Sequence, residues 1–188
     1  MSRIEVGLVA GVSGDYEVAI YTDQTTDNNW QTYLNMPKMS GDEYDSWTVL
    51  LKAGCVMPIM QNTHAEYVEH QWLWDNATGD VLIGGLGIGF LHKKLIDNPN
   101  VTSVTIVEIS QDVVDLVWDQ CEKDDTFSVV LDDFETYTPP EGTSFDTVWC
   151  DTWLSDNPMS LWDYRTAMAS KYSEYTDNIG FWGDGTSV

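Results

Sequence analysis

Near the amino end, apolar positions fall in blocks of strand length. Ile4 to Ala10 and Tyr16 to Thr22 lie on either side of Ser13-Gly14-Asp15, which predicts two strands joined by a hairpin turn. Trp47 to Leu51 and Cys55 to Met60 flank Lys52-Ala53-Gly54 and predict a second hairpin. Residues 23–46, rich in Asp, Asn and Thr, read as a long connection.

Beyond residue 62 the pattern changes to alternating strand and helix. Thr63-His64-Ala65-Glu66 matches a capping box, in which hydroxyl and carboxylate satisfy the free N–H groups of a helix start, and predicts a helix over 64–76. Val81-Leu82-Ile83 is a strand, followed by a glycine-rich turn and a helix that Asn98-Pro99-Asn100 stops near Asp97. Val104 to Ile109 is a strand, Asp112 to Glu122 a helix, and Phe127 to Leu131 and Thr147 to Cys150 two further strands. Asn157-Pro158 resembles a helix cap followed by proline in the first turn, opening a helix to about Tyr175, and Ile179 to Trp182 is a short fifth strand. Such alternation predicts an open, mostly parallel α/β sheet, residues 61–188, preceded by a β-rich region, residues 1–60. Ligands of such sheets bind outside the carboxyl ends of the strands, so those ends are where chemistry is sought.

Charge narrows the possibilities. The chain of 188 residues carries 31 Asp plus Glu against 8 Lys plus Arg, a net charge of −23. No basic cluster exceeds Lys93-Lys94, so a nucleic-acid partner is disfavoured. The aromatic content of 12% argues for a packed core and against disorder. No apolar run is long enough to span a bilayer, the first residues lack a signal-peptide plan, and Cys55, Cys121 and Cys150 show no paired spacing. A protein of a reducing cytoplasm is expected, with no membrane partner and no metal site.

Four strand ends carry candidate chemistry. The first leads into Gly84-Gly85-Leu86-Gly87-Ile88-Gly89, where Gly85, Gly87 and Gly89 allow close approach of a ligand. The second ends at Glu108, nineteen residues after Gly89, where an acid can accept from both ribose hydroxyls of a nucleoside. The third ends at Asp132-Asp133 and the fourth at Asp151. Each acid alone is ordinary surface in so acidic a chain; together they outline a pocket. His64, Glu66 and His70 are close in sequence, but the i, i+6 spacing of the two histidines does not share a helix face.

The run Val81 to Gly89, then Val107-Glu108-Ile109, Val130 to Glu135 and Phe145 to Asp151 resembles the core of class I S-adenosylmethionine-dependent methyltransferases, most nearly the spermidine synthase branch. Met60 to Glu66, Asp151-Thr152-Trp153 and Gly180 to Gly183 are similar to small methyltransferase-like proteins of phage and bacterial genomes, and the likeness covers about residues 55–183. The resemblance implies a Rossmann-like fold that binds S-adenosylmethionine. In it, Gly85, Gly87 and Gly89 contact the cofactor, Glu108 the ribose and Asp132 the adenine amino group, with the backbone near Asp133 and Phe134 beside the ring. Asp151 is implied as the catalytic group that accepts a proton from a small cationic or neutral acceptor. Trp149, Trp153 and Trp182 are candidates for cation–π contacts with the sulfonium, and His64, Tyr67 and Glu69 for a place beside the cofactor.

The pattern is incomplete in three places. The glycine-loop aspartate of polyamine synthases is here Ile88, which weakens the alternative of aminopropyl transfer. Asp151-Thr152-Trp153 lacks the prolines that follow strand four in amino-methylating nucleic-acid enzymes. Only 37 residues follow Asp151, too few for the terminal strand pair of a full methyltransferase sheet, so part of the acceptor side is expected to be missing or to be supplied by residues 1–60 or a second subunit of a homo-oligomer. A non-catalytic cofactor binder or an acidic decoy stays open.

Overall fold

The computed structural model describes residues 4–22, 46–55, 57–154 and 157–184. The expected connection at 23–46 lies almost wholly outside them. Ile4, Val6 and Leu8 are buried and alternate with exposed neighbours, as a strand would, yet residues 4–10 form no ladder. Gly7 has a φ of +67°, which interrupts an extended run, and backbone groups turn to side chains instead: Ile4 O accepts from Asn62 Nδ2 and Val9 N–H donates to Gln120 Oε1. The first strand is β1, Gly11–Ser13, which pairs antiparallel with β2, Tyr16–Thr22, across Gly14. β3, Ser46–Lys52, pairs with β2 along its full length. The expected strand over 55–60 reduces to β4, Met60–Gln61, for Pro58 within that run has no N–H to donate.

The helix expected over 64–76 is two short helices, α1, His64–Glu69, and α2, Gln71–Asn76, broken at His70. Thr63 caps α1 as predicted, its Oγ1 accepting from the Glu66 N–H. The groups left open at the break are met by the far end of the described chain: Gly183 N–H donates to Glu69 O and Trp72 N–H to Asp184 O.

β5, Gly79–Gly84, leads into the glycine loop, and the following helix, α3, starts only at His92 and ends at Ile96. Gly85, Gly87 and Gly89 all have positive φ, so a right-handed helix cannot begin among them. β6, Val101–Glu108, precedes α4, Gln111–Val117, which Ser110 caps through Val113 N–H. β7 is Phe127–Leu131 and β8 Thr147–Cys150. α5, Leu161–Tyr172, is capped by Ser160 and not by Asn157. The Asn157 side chain is engaged in a local turn with Met159 N–H and donates to Glu135 Oε1. β9, Ile179–Phe181, runs parallel to β8.

The result is an α/β fold with a five-stranded parallel sheet in the order β7-β6-β5-β8-β9 and a separate four-stranded antiparallel sheet in the order β1-β2-β3-β4. Strand residues alternate between two apolar layers. Val81, Ile83, Ile106 and Trp149 face a core that also contains Ile4, Val18, Leu50 and Leu73, so the antiparallel sheet shares this core with the parallel one. Leu82, Val107, Val148 and Cys150 face Tyr164, Met168 and Tyr172 of α5.

Candidate active site

Strand order reverses between β5 and β8, where a crevice forms at the carboxyl ends of parallel strands. The glycine loop borders it. Gly85, at φ +92°, lies so close to the next strand end that a Cβ would come within 3.0 Å of the Asp151 carbonyl oxygen. At Gly87 the place of a side chain is taken by Met60 Sδ, and at Gly89 by Cys121 of the segment after α4. Gly89 therefore serves packing beneath the loop.

Glu108, at the end of β6, is buried, and each carboxylate oxygen holds one backbone group: Oε2 accepts from Leu86 N–H at 2.9 Å and Oε1 from Ser110 N–H at 2.8 Å. Burial pushes its pKa up, and the backbone donors pull against that rise. A carboxylate has about four acceptor positions, and the Ile109 N–H also acts on this one, so one remains for a further donor. Asp132 is exposed at the end of β7, tied to β6 through its own N–H to Glu108 O. Asp133 Oδ1 accepts from Glu135 N–H and shapes the turn. The Phe134 side chain is fully buried, stacked on Tyr172 and against Gly84, and its carbonyl accepts from Tyr172 Oη and Lys171 Nζ. Its side chain is thus a core group. Beside Glu108 and Asp132 stand two large apolar residues open to solvent, Ile109 and Leu131, on adjacent strand ends.

Asp151, just past β8, lines a cleft with Cys150, Trp153, Leu161, Tyr164 and Trp182. The enclosed part of the cleft is small, about 10 Å³, room for about one water-sized group. Asp151 Oδ2 lies 3.0 Å from Nε2 of His70, a wholly buried side chain. His70 Nδ1 donates to Glu66 O at 2.7 Å, and Glu66 Oε1 accepts from Trp182 Nε1 at 3.2 Å. Burial pushes the Glu66 carboxyl up to about 8, against the pull of His70; the charges of Asp151 and Glu69 add to the rise. Burial works to lower the His70 pKa, but the hydrogen bond and charge of Asp151, with Glu66, outweigh it and the net direction is up.

Among the tryptophans proposed for cation–π contact, Trp149 is fully buried and stacked on Trp72, which removes it from any ligand. Trp153 and Trp182 do line the cleft, their indole N–H groups engaged by Met159 O and Glu66. His64 stacks on Tyr67, over which Lys94 Nζ sits at 5.3 Å, and Glu69 is half-buried with its pKa raised by burial. The structure therefore brings Gly85, Glu108 and Asp151 to one crevice, with Asp132 at its edge. Sequence reasoning missed the Glu66–His70–Asp151 cluster and the apolar pair Ile109 and Leu131. The i, i+4 spacing of Glu66 and His70 was the available signal.

No family model and no curated protein matches the chain. Among solved structures, it is similar to spermidine synthase from Thermotoga maritima, 14% identical over 79% of this chain and 49% of that one, TM-score 0.47. An N-methyltransferase from Bradyrhizobium japonicum is 15% identical over 60% and 64%, TM-score 0.45. An S-adenosylmethionine-dependent methyltransferase from Clostridium acetobutylicum is 15% identical over 62% and 47%, TM-score 0.41. The chain thus spans between about half and two thirds of the length of these proteins.

Proposed function

We propose that this protein is an S-adenosylmethionine-dependent methyltransferase-like enzyme acting on a small cationic or neutral acceptor. The observation that carries the reading is convergence: the glycine loop, the Glu108 carboxylate bonded to Leu86 within that loop, and Asp151 against Gly85 share one crevice at the reversal of strand order. The residues present fit the cofactor. A buried acid with acceptor capacity left over suits a ribose diol, and Leu131, in register with Glu108 and open to solvent, offers an apolar neighbour for a purine ring.

When bound, S-adenosylmethionine supplies a methyl group made electrophilic by the sulfonium. The chain's own part is alignment, with Glu108 fixing the nucleoside and the small cleft orienting the acceptor. Asp151 would hold the acceptor's N–H or O–H and take the proton that leaves it. The carboxylate-rich surroundings also favour a positively charged sulfonium. Ile88, where an amine-holding acid would stand for aminopropyl transfer, is fully buried in the core, which favours methyl transfer.

Calorimetric titration with S-adenosylmethionine tests the reading. Binding by the wild type and its loss or sharp weakening in Glu108→Ala are expected; a flat wild-type titration refutes it. Supplying either the cofactor or its decarboxylated form with putrescine, and following S-adenosylhomocysteine against methylthioadenosine, separates the two transfers.

A further inference from the structure

His70 is the most enclosed polar side chain near the cleft. The rings of Trp74, Phe90 and Trp149 surround it at centroid distances of 5.7, 5.4 and 5.4 Å, and its own exposure is 0%. Both ring nitrogens face oxygen. Nδ1 meets the Glu66 carbonyl, which can only accept, so Nδ1 carries a hydrogen. Nε2 meets the Asp151 carboxyl, so one further proton lies between Nε2 and Oδ2. Two bare lone pairs at 3.0 Å would repel, and the proton resides on the stronger base of the two, which for free groups is imidazole by about 2–3 pH units. The titratable groups that face the ring are Glu66 and Glu69 of α1 and Asp151 beyond β8, all acidic, and burial holds Glu66 in its neutral form near pH 7. Asp151 Oδ1 has no hydrogen bond among the described residues, and the Asp151 side chain keeps 18% of its surface open.

We propose that His70 is a positioning residue for Asp151: a charged imidazole behind the carboxylate that engages Oδ2 and leaves Oδ1 as the acceptor presented to the cleft. The arrangement places the carboxylate at the wet end and the imidazole at the dry end, so His70 acts through Asp151 and does not meet the acceptor itself. Its second bond, to the α1 backbone, fixes the ring at the break between α1 and α2 and so sets where the carboxylate points. The inference rests on reading the cleft as the acceptor side of a transferase.

The test is nitrogen-15 NMR of the three imidazoles in the intact protein, without cofactor, across pH. Wild-type His70 should keep both ring nitrogens protonated after histidine in an unfolded control has lost its charge. Asp151→Asn should move that loss to lower pH, and Glu66→Gln, which leaves the Asp151 contact in place, should move it less. A wild-type His70 with a single ring proton at about pH 7, where free histidine is mostly neutral, overturns the proposal. So does an Asp151→Asn protein in which His70 titrates unchanged. Should that variant not fold, the wild-type spectrum with Glu66→Gln decides. Failure of S-adenosylmethionine to bind in calorimetry would remove the transferase reading while leaving the imidazole result intact.

Discussion

Glu66→Gln should stabilise the protein increasingly as pH rises from about 5 to 9 and leave it almost unchanged at about pH 4.5 and below. The Glu66 carboxyl is pushed from an ordinary 4.5 up to about 8 by burial. The folded state therefore holds this proton more tightly than the unfolded chain does. The corresponding stability is fully present below about pH 4.5 and is lost as pH rises through about 8. A shift of about three and a half pH units, at ~1.4 kcal/mol each, sets an upper bound of roughly 5 kcal/mol, of which about 3 kcal/mol is gone by pH 7. Against a net stability of roughly 5–15 kcal/mol this is a large fraction. Glutamine keeps an oxygen for the Trp182 indole N–H and cannot ionise, so the variant escapes the loss. His70 titrates in the same sense in both proteins, since its folded pKa is also raised, and it largely cancels in the difference. Urea unfolding followed by tryptophan fluorescence at several pH values between 5 and 9 measures that difference. Two curves that stay parallel within about 1 kcal/mol across the range would refute the assignment of Glu66 as a buried, protonated acid.

Four further outcomes are expected. Asp151→Ala should abolish transfer while calorimetry shows S-adenosylmethionine still binding; full activity would remove Asp151 from the mechanism. Glu108→Gln keeps one acceptor oxygen and should weaken cofactor binding by about tenfold or more, or ~1.4 kcal/mol, and an unchanged affinity would count against the ribose role. Gly180→Ala would drive a methyl group into the Trp72 ring beneath β9, so a loss of about 1–3 kcal/mol in urea unfolding is expected; an unaltered midpoint would mean that the ring gives way freely. Sodium chloride should raise the melting temperature, because 31 acids against 8 bases repel one another and salt screens them; a melting point insensitive to salt would show that the acids lie too far apart to matter.

The parallel sheet was legible because its strands are short apolar blocks separated by helix and turn signals, as in Phe127–Leu131 and Thr147–Cys150, whose observed limits match the sequence reading. The amino-terminal strand was misread since burial of Ile4, Val6 and Leu8 has the same period whether or not a partner strand exists. The single helix over 64–76 was misread for a different reason: the break at His70 is stabilised by Gly183 and Asp184, more than a hundred residues away, and local pattern cannot carry that information. The same limit applies to the site. Glu108 and Asp151 could be located by counting from strand ends, but Glu66 and His70 acquire their character only from what closes over them.

That closure has a consequence for how the protein comes into being. Trp182 touches Glu66, and the turn at 183–184 seals the junction of α1 and α2. During synthesis the first six strands and most helices are available long before these last contacts exist. Until Trp182 and its neighbours emerge from the ribosome, Glu66 lacks its indole donor and the helix junction lacks its cap. A nascent chain therefore carries the glycine loop before the contacts that close over Glu66 and His70 can form.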